Sequence, residues 1–123
     1  MMTKILIIDD DPVLQKVYRT KLSNEGFSVI AAMDGEEGLA LMKKERPYVV
    51  LLDLIMPRKD GFQVLEEVKG DRALKAIPMI VFSNLGQESD VKKAKKLGAK
   101  DFWIKTDVSV ADLVKKIRAY CCA

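Results

Sequence analysis

"YVVLLDLIMP", residues 48–57, decides how this chain is read. Five apolar or aromatic residues run straight into Asp53, and apolar residues resume after it. The run is continuous, not alternating, so both of its faces need cover, as in a parallel strand between helices. A carboxylate that ends such a run is costly unless something balances its charge. Asp53 therefore asks for a partner.

Four further runs have the same character: "KILII" (4–8), "FSVIAA" (27–32), "PMIVF" (78–82) and "DFWI" (101–104). With 48–52 they recur about every 20–30 residues, and a helical pattern follows each. In 12–24, Leu14, Val17, Tyr18 and Leu22 fall on one face; Asp11 caps, Pro12 suits the first turn and Gly26 supplies the stop. In 35–45, Asp34 and Glu37 form a capping-box pair, with Leu39 and Met42 inward. In 61–69 the stripe is Val64, Leu65 and Val68, ended by Gly70. In 87–97 a weak stripe of Val91, Ala94 and Leu97 closes at Gly98. In 109–120 Ser109 caps, and Val110, Leu113, Val114, Ile117 and Tyr120 give the clearest stripe. This strict alternation predicts one right-handed, doubly wound α/β sandwich with a parallel sheet.

Composition agrees. The 123 residues suit a single domain, with 49% hydrophobic and 32% charged residues. No apolar run approaches the roughly 20 residues of a membrane helix. "MMTK" opens no secretory segment, which points to the cytoplasm. The net charge of +3 demands no polyanionic partner. "KKAKK" (92–96) reads as a solvated helix face and not as a nucleic-acid site, because no aromatic side chain is interleaved for stacking. Cys121 and Cys122 lack zinc-ligand spacing and read as a pair of thiols at a helix end. The chain has no histidine, which excludes a histidine-based triad, metal ligand or general base within it.

In sheets of this kind ligands bind beyond the carboxyl ends of the strands. Asp9, Asp10 and Asp11 follow the first strand, Asp53 the third, Ser83 and Asn84 the fourth, and Lys105 the fifth. The first, third and fourth strands are expected to be neighbours or near neighbours, so their ends converge. Asp9, Asp10 and Asp53 then form an anionic pocket that calls for a cation. Hard oxygen ligands suit Mg²⁺. Lys105 adds a compact positive charge and Ser83 a hydroxyl donor.

At this point the chain resembles the receiver domains of bacterial two-component response regulators, the CheY-like family. The stretches that carry the resemblance are "ILIIDDDP", "VVLLDLIMPRKDGF", "IVFSN" and "GAKDFWIK". It extends over essentially all of 1–123. It implies the strand order 2-1-3-4-5 of the flavodoxin-like architecture. It also implies that Asp53 accepts a phosphoryl group, that Asp10 binds Mg²⁺ directly and Asp9 largely through water, and that the backbone carbonyl of Ile55 completes the metal site. By the same resemblance Ser83 and Lys105 engage the phosphoryl group, Phe102 turns inward when Ser83 moves, and Pro57 and Gly61 shape the rim. The implied donor is a sensor histidine kinase or a phosphotransfer protein. The implied output is the face of the fourth helix, fifth strand and fifth helix, offered to a downstream protein or to a second copy, with no direct nucleic-acid contact and no membrane. The chain is then a switch that catalyses its own phosphorylation and slow dephosphorylation, and not a conventional enzyme.

Three positions depart from the family pattern. Thr106 follows the lysine where proline is usual, Asn84 follows Ser83 where a small residue is usual, and Lys59 replaces an apolar residue between Pro57 and Gly61. Three rival readings fit the sequence less well. A Mg²⁺-dependent aspartyl-phosphate phosphatase would carry a second acid two residues after the nucleophile, where Ile55 stands. A flavin-binding relative would not place three aspartates at a phosphate loop. A degenerate receiver would not keep all five core positions of the site.

Overall fold

The structure, a computed structural model, describes residues 3–121. Its elements are β1 (Lys4–Ile8), α1 (Pro12–Asn24), β2 (Ser28–Ala32), α2 (Gly35–Glu45), β3 (Val49–Leu52), α3 (Gly61–Lys69), β4 (Met79–Ser83), α4 (Glu88–Lys96), β5 (Asp101–Ile104), a 3₁₀ turn (Lys105–Asp107) and α5 (Val110–Cys121). The five strands form one parallel sheet in the order β2-β1-β3-β4-β5. The expected architecture and order are both found.

The continuous apolar runs are split by the two-residue period of a strand into two cores. Leu6, Ile8, Val50, Leu52, Met79 and Val81 join Met42 of α2, Val64, Leu65 and Val68 of α3 and Ala94 of α4 in one cluster. Ile5, Ile7, Val49, Leu51, Ile80 and Phe82 join Tyr18 and Leu22 of α1 and Leu113, Val114 and Ile117 of α5 in the other.

Local chemistry sets the helix ends. Asp11 Oδ1 accepts from the N–H groups of Val13 and Leu14 at 2.9 and 3.1 Å, and Pro12 occupies the first turn. Ser109 Oγ accepts from Asp112 N at 3.1 Å, as expected. Gly26 turns the chain after α1 at φ 97°, a conformation that costs most residues a clash at Cβ.

Four expectations need correction. β2, β3 and β4 each begin one residue later than expected, after Phe27, Tyr48 and Pro78, and α4 and α5 shift by a residue at their ends. Asp34 Oδ1 caps Glu37 N at 2.9 Å, but Glu37 reaches one residue further back, to Met33 N, so no reciprocal box forms. The reciprocal box lies at α3, between Asp60 and Gln63. On α1, Val17 is 42% exposed, and the face that packs inward is Gln15, Tyr18 and Leu22. The lysines of 92–96 are exposed around a buried Ala94, as a solvated helix face should be. Cys121 ends α5, and Cys122 lies outside the described residues. Among the described residues no helix is long and apolar enough to cross a membrane.

Candidate functional site

The site is built by the sheet ladder. Asp53 N donates to Ile8 O at 2.9 Å, and Asp9 N donates to Ala32 O at 3.0 Å. These bonds fix the first residue past β3 and past β1 at the same edge. Gly61 closes the β3–α3 connection over this edge. A Cβ there would stand 2.5 Å from the carbonyl oxygen of Asp53 and 2.7 Å from Leu54 Cα, so only glycine permits the approach.

Lys105, at the start of the 3₁₀ turn after β5, reaches back across the edge. Its Nζ lies 2.5 Å from Asp9 Oδ2 and 3.0 Å from Asp53 Oδ2. All three side chains are at least nine-tenths buried. Ser83, the last residue of β4, donates its hydroxyl to Asp53 Oδ1 at 2.7 Å, and Ile55 N–H donates to the same oxygen at 3.2 Å. Both oxygens of Asp53 are thus engaged, one by a neutral donor pair and one by an ammonium. Asp9 Oδ1 accepts from Asp11 N at 2.9 Å.

The charge does not balance. One oxygen from each of Asp9, Asp10 and Asp53 lies within 4.8 Å of the others, and the Lys105 ammonium pairs with Asp9 and Asp53 only. Burial pushes the Asp9 carboxyl above its ordinary value, and the Lys105 hydrogen bond only partly offsets this. For Lys105, burial pulls the ammonium down, but the hydrogen bond to Asp9 and the charge of Asp53 outweigh it and hold the pKa above the ordinary lysine value. Asp10 is exposed at the mouth. Three convergent carboxylate oxygens at an open edge fit a hard divalent cation such as Mg²⁺.

The remaining residues fall around this centre. Ile55, two residues after Asp53, is 57% exposed. Phe102 on β5 is half-buried and packs against the core, as Leu85 and Leu97 also do. The peptide bonds of the described residues, Lys105–Thr106 included, are trans; a non-proline residue after Lys105 makes this the cheap isomer. Asn84 is exposed. Lys59 turns away from the pocket to pair with Glu67 of α3.

Sequence reasoning passed over Gln15 of α1. Its amide reaches the ends of β1 and β2. The signal was the i, i+3, i+7 spacing of Gln15, Tyr18 and Leu22, which outranks hydrophobicity alone in marking the inward face.

The parallel sheet thus gathers two acids after β1, one after β3, a hydroxyl at the end of β4 and a lysine after β5 at one carboxyl edge. The chain matches the family model for the response regulator receiver domain over residues 5–118, and it belongs to that family. It is 37% identical over 118 residues to the protein PilH of Pseudomonas aeruginosa, covering 96% of this chain and 97% of that one. It is 40% identical over 116 residues to the probable transcriptional regulator ycf27 of Guillardia theta, covering 94% of this chain and 44% of that protein. The chain thus spans about half the length of the ycf27 relatives it matches. Among solved structures it is similar to chemotaxis protein CheY4 of Vibrio cholerae, with a TM-score of 0.89, 26% identity, and 98% and 99% of the two chains covered. Receiver domains are switches phosphorylated by histidine kinases or phosphotransfer proteins, and this family assignment favours that reading over the phosphatase and flavin alternatives.

Proposed function

We propose that residues 1–123 form a receiver domain that takes a phosphoryl group onto Asp53 and passes the change to the surface built by α4, β5 and α5. The observation that carries this reading is the dual engagement of Asp53: Ser83 Oγ on one oxygen and Lys105 Nζ on the other. A carboxylate oxygen of Asp53 attacks the phosphorus of a phosphohistidine, the P–N bond breaks, and an acyl phosphate forms. The histidine belongs to a partner, a sensor kinase or phosphotransfer protein, because this chain has none. Lys105 neutralises charge on the transferring group, and Ser83 donates to its oxygens. Asp10, Asp53 and the carbonyl of Ile55 would hold Mg²⁺ directly and Asp9 would act through water; when bound, the ion would supply further charge neutralisation at the same group.

The acyl phosphate adds charge beside Ser83 and Lys105 and draws both toward it. Phe102 lies on the neighbouring strand β5, half-buried against the core, and repacks as Ser83 shifts. A downstream protein or a second copy of the chain reads the altered face. Turnover is limited to the domain's own phosphorylation and slow dephosphorylation, in the cytoplasm. Incubation with acetyl phosphate and Mg²⁺, followed by intact mass, tests the assignment: one phosphoryl group on wild type and none on Asp53→Asn. Undiminished labelling of the variant, with no replacement site found by mapping, overturns it.

A further inference from the structure

We propose that Gln15 of α1 is a positioning residue for Asp10, acting through the backbone of the β1–α1 turn. This rests on the reading of Asp10 as a Mg²⁺ ligand. Gln15 is 2% exposed, and its Nε2 donates to Ile7 O at 2.9 Å, Asp9 O at 3.1 Å and Ala32 O at 2.9 Å. Its neighbours dictate the amide orientation, since the opposite one would press Oε1 against three carbonyl oxygens. Two protons serve three acceptors on one side, while Oε1 on the other side is buried with no partner.

The Asp9 carbonyl belongs to the planar peptide that joins Asp9 to Asp10. Holding its oxygen holds the plane, and with it the Cα of Asp10. On the far side of Asp10, the N–H of Asp11 donates to Asp9 Oδ1 at 2.9 Å. Asp10 is therefore bracketed by two fixed peptides. Its own carboxylate makes no hydrogen bond among the described residues, so the backbone alone aims it. Gln15 supplies one of the two brackets, from a helix position outside the pocket. Groups that orient a metal ligand in this way change affinity by about tenfold or more when removed.

The test compares wild type, Gln15→Met and Leu22→Val. Methionine keeps length and helix preference but removes the three hydrogen bonds. Leu22→Val truncates a fully buried side chain on the same helix and controls for general destabilisation. Mg²⁺ titration by calorimetry should show about tenfold weaker binding in Gln15→Met and unchanged binding in Leu22→Val. In the metal-free proteins, amide exchange at Asp11 should quicken in Gln15→Met beyond any change in Leu22→Val. Wild-type affinity in Gln15→Met, or equal losses in both variants, overturns the proposal. If wild type itself binds no Mg²⁺, the metal reading of Asp10 fails separately, and Asp11 exchange still decides the bracket: an unchanged rate in Gln15→Met overturns it.

Discussion

Lys105 and Asp53, 52 residues apart in the chain, meet with Nζ 3.0 Å from Oδ2 and both side chains at most a tenth exposed. The same ammonium holds Asp9. Lys105→Met therefore strands two buried carboxylates at once. The expected loss is about 3 kcal/mol of stability at pH 7, read from urea midpoints. Because Lys105 titrates above 10.5 in the fold, its contribution is complete below that value and is lost as pH climbs through its own higher one. A wild-type advantage that vanished between pH 7 and pH 9 would contradict this.

Asp9 has the opposite consequence. Its folded value is raised above 3.8 by burial, so the protonated form is favoured in the fold. Stability from this group is fully present below 3.8 and is lost as pH rises through the raised value. Asp9→Asn should accordingly be more stable than wild type at pH 7, and the gain should shrink on acidification and be gone below pH 3.8. Denaturation midpoints of the two proteins across this range are the measurement.

Gly61→Ala should destabilise by about 1–3 kcal/mol, because its Cβ would overlap the Asp53 carbonyl and Leu54 Cα, and backbone yields poorly. The displaced β3–α3 connection should also slow phosphorylation by acetyl phosphate. A stable variant phosphorylated at the wild-type rate would refute the close approach.

Beryllofluoride, a phosphoryl mimic, should change amide exchange in 84–97 and 102–120 and leave 27–45 alone. Ser83→Ala should blunt the change, since the hydroxyl that follows the added charge is gone. Exchange changes confined to 27–45 would exclude this output face.

Phosphorylated Asp53 should lose its phosphate slowly. Hydrolysis needs a water aligned opposite the leaving carboxylate, and a polar side chain at the rim helps to orient it. Two residues after Asp53 and two after Ser83 stand Ile55, 57% exposed, and Leu85, half-buried. Neither side chain can hold a water. Phosphate release from the double variant Ile55→Asn with Leu85→Glu should be faster than from wild type; equal rates would remove the explanation.

The fold was legible because its signals are local. A continuous apolar run needs two covered faces wherever it lies, and Asp11, Pro12 and Ser109 cap helices through atoms within a few residues of themselves. The acids, serine and lysine of the site were legible for a related reason: each directly follows a strand, and a parallel sheet brings strand ends to one edge. Glu37 was misread because two backbone N–H donors compete for its carboxylate within one turn, those of Asp34 and Met33, and sequence spacing does not rank them. Val17 was misread because hydrophobicity stood in for direction; the α1 face that meets the sheet is set by Tyr18 against Phe82, with ring centroids 5.2 Å apart.

The sequence by itself determined the order of elements, their capping and which residues stand at the carboxyl edge, since each depends on neighbours within a turn or on strand periodicity. The tertiary structure alone decided that one ammonium is shared by Asp9 and Asp53, that Ser83 turns its hydroxyl onto Asp53, and that a glutamine on α1 grips the ends of β1 and β2. Those contacts join residues from 6 to 96 positions apart. Side-chain direction and charge sharing over such separations depend on how the helices seat on the sheet, a property of the packed whole.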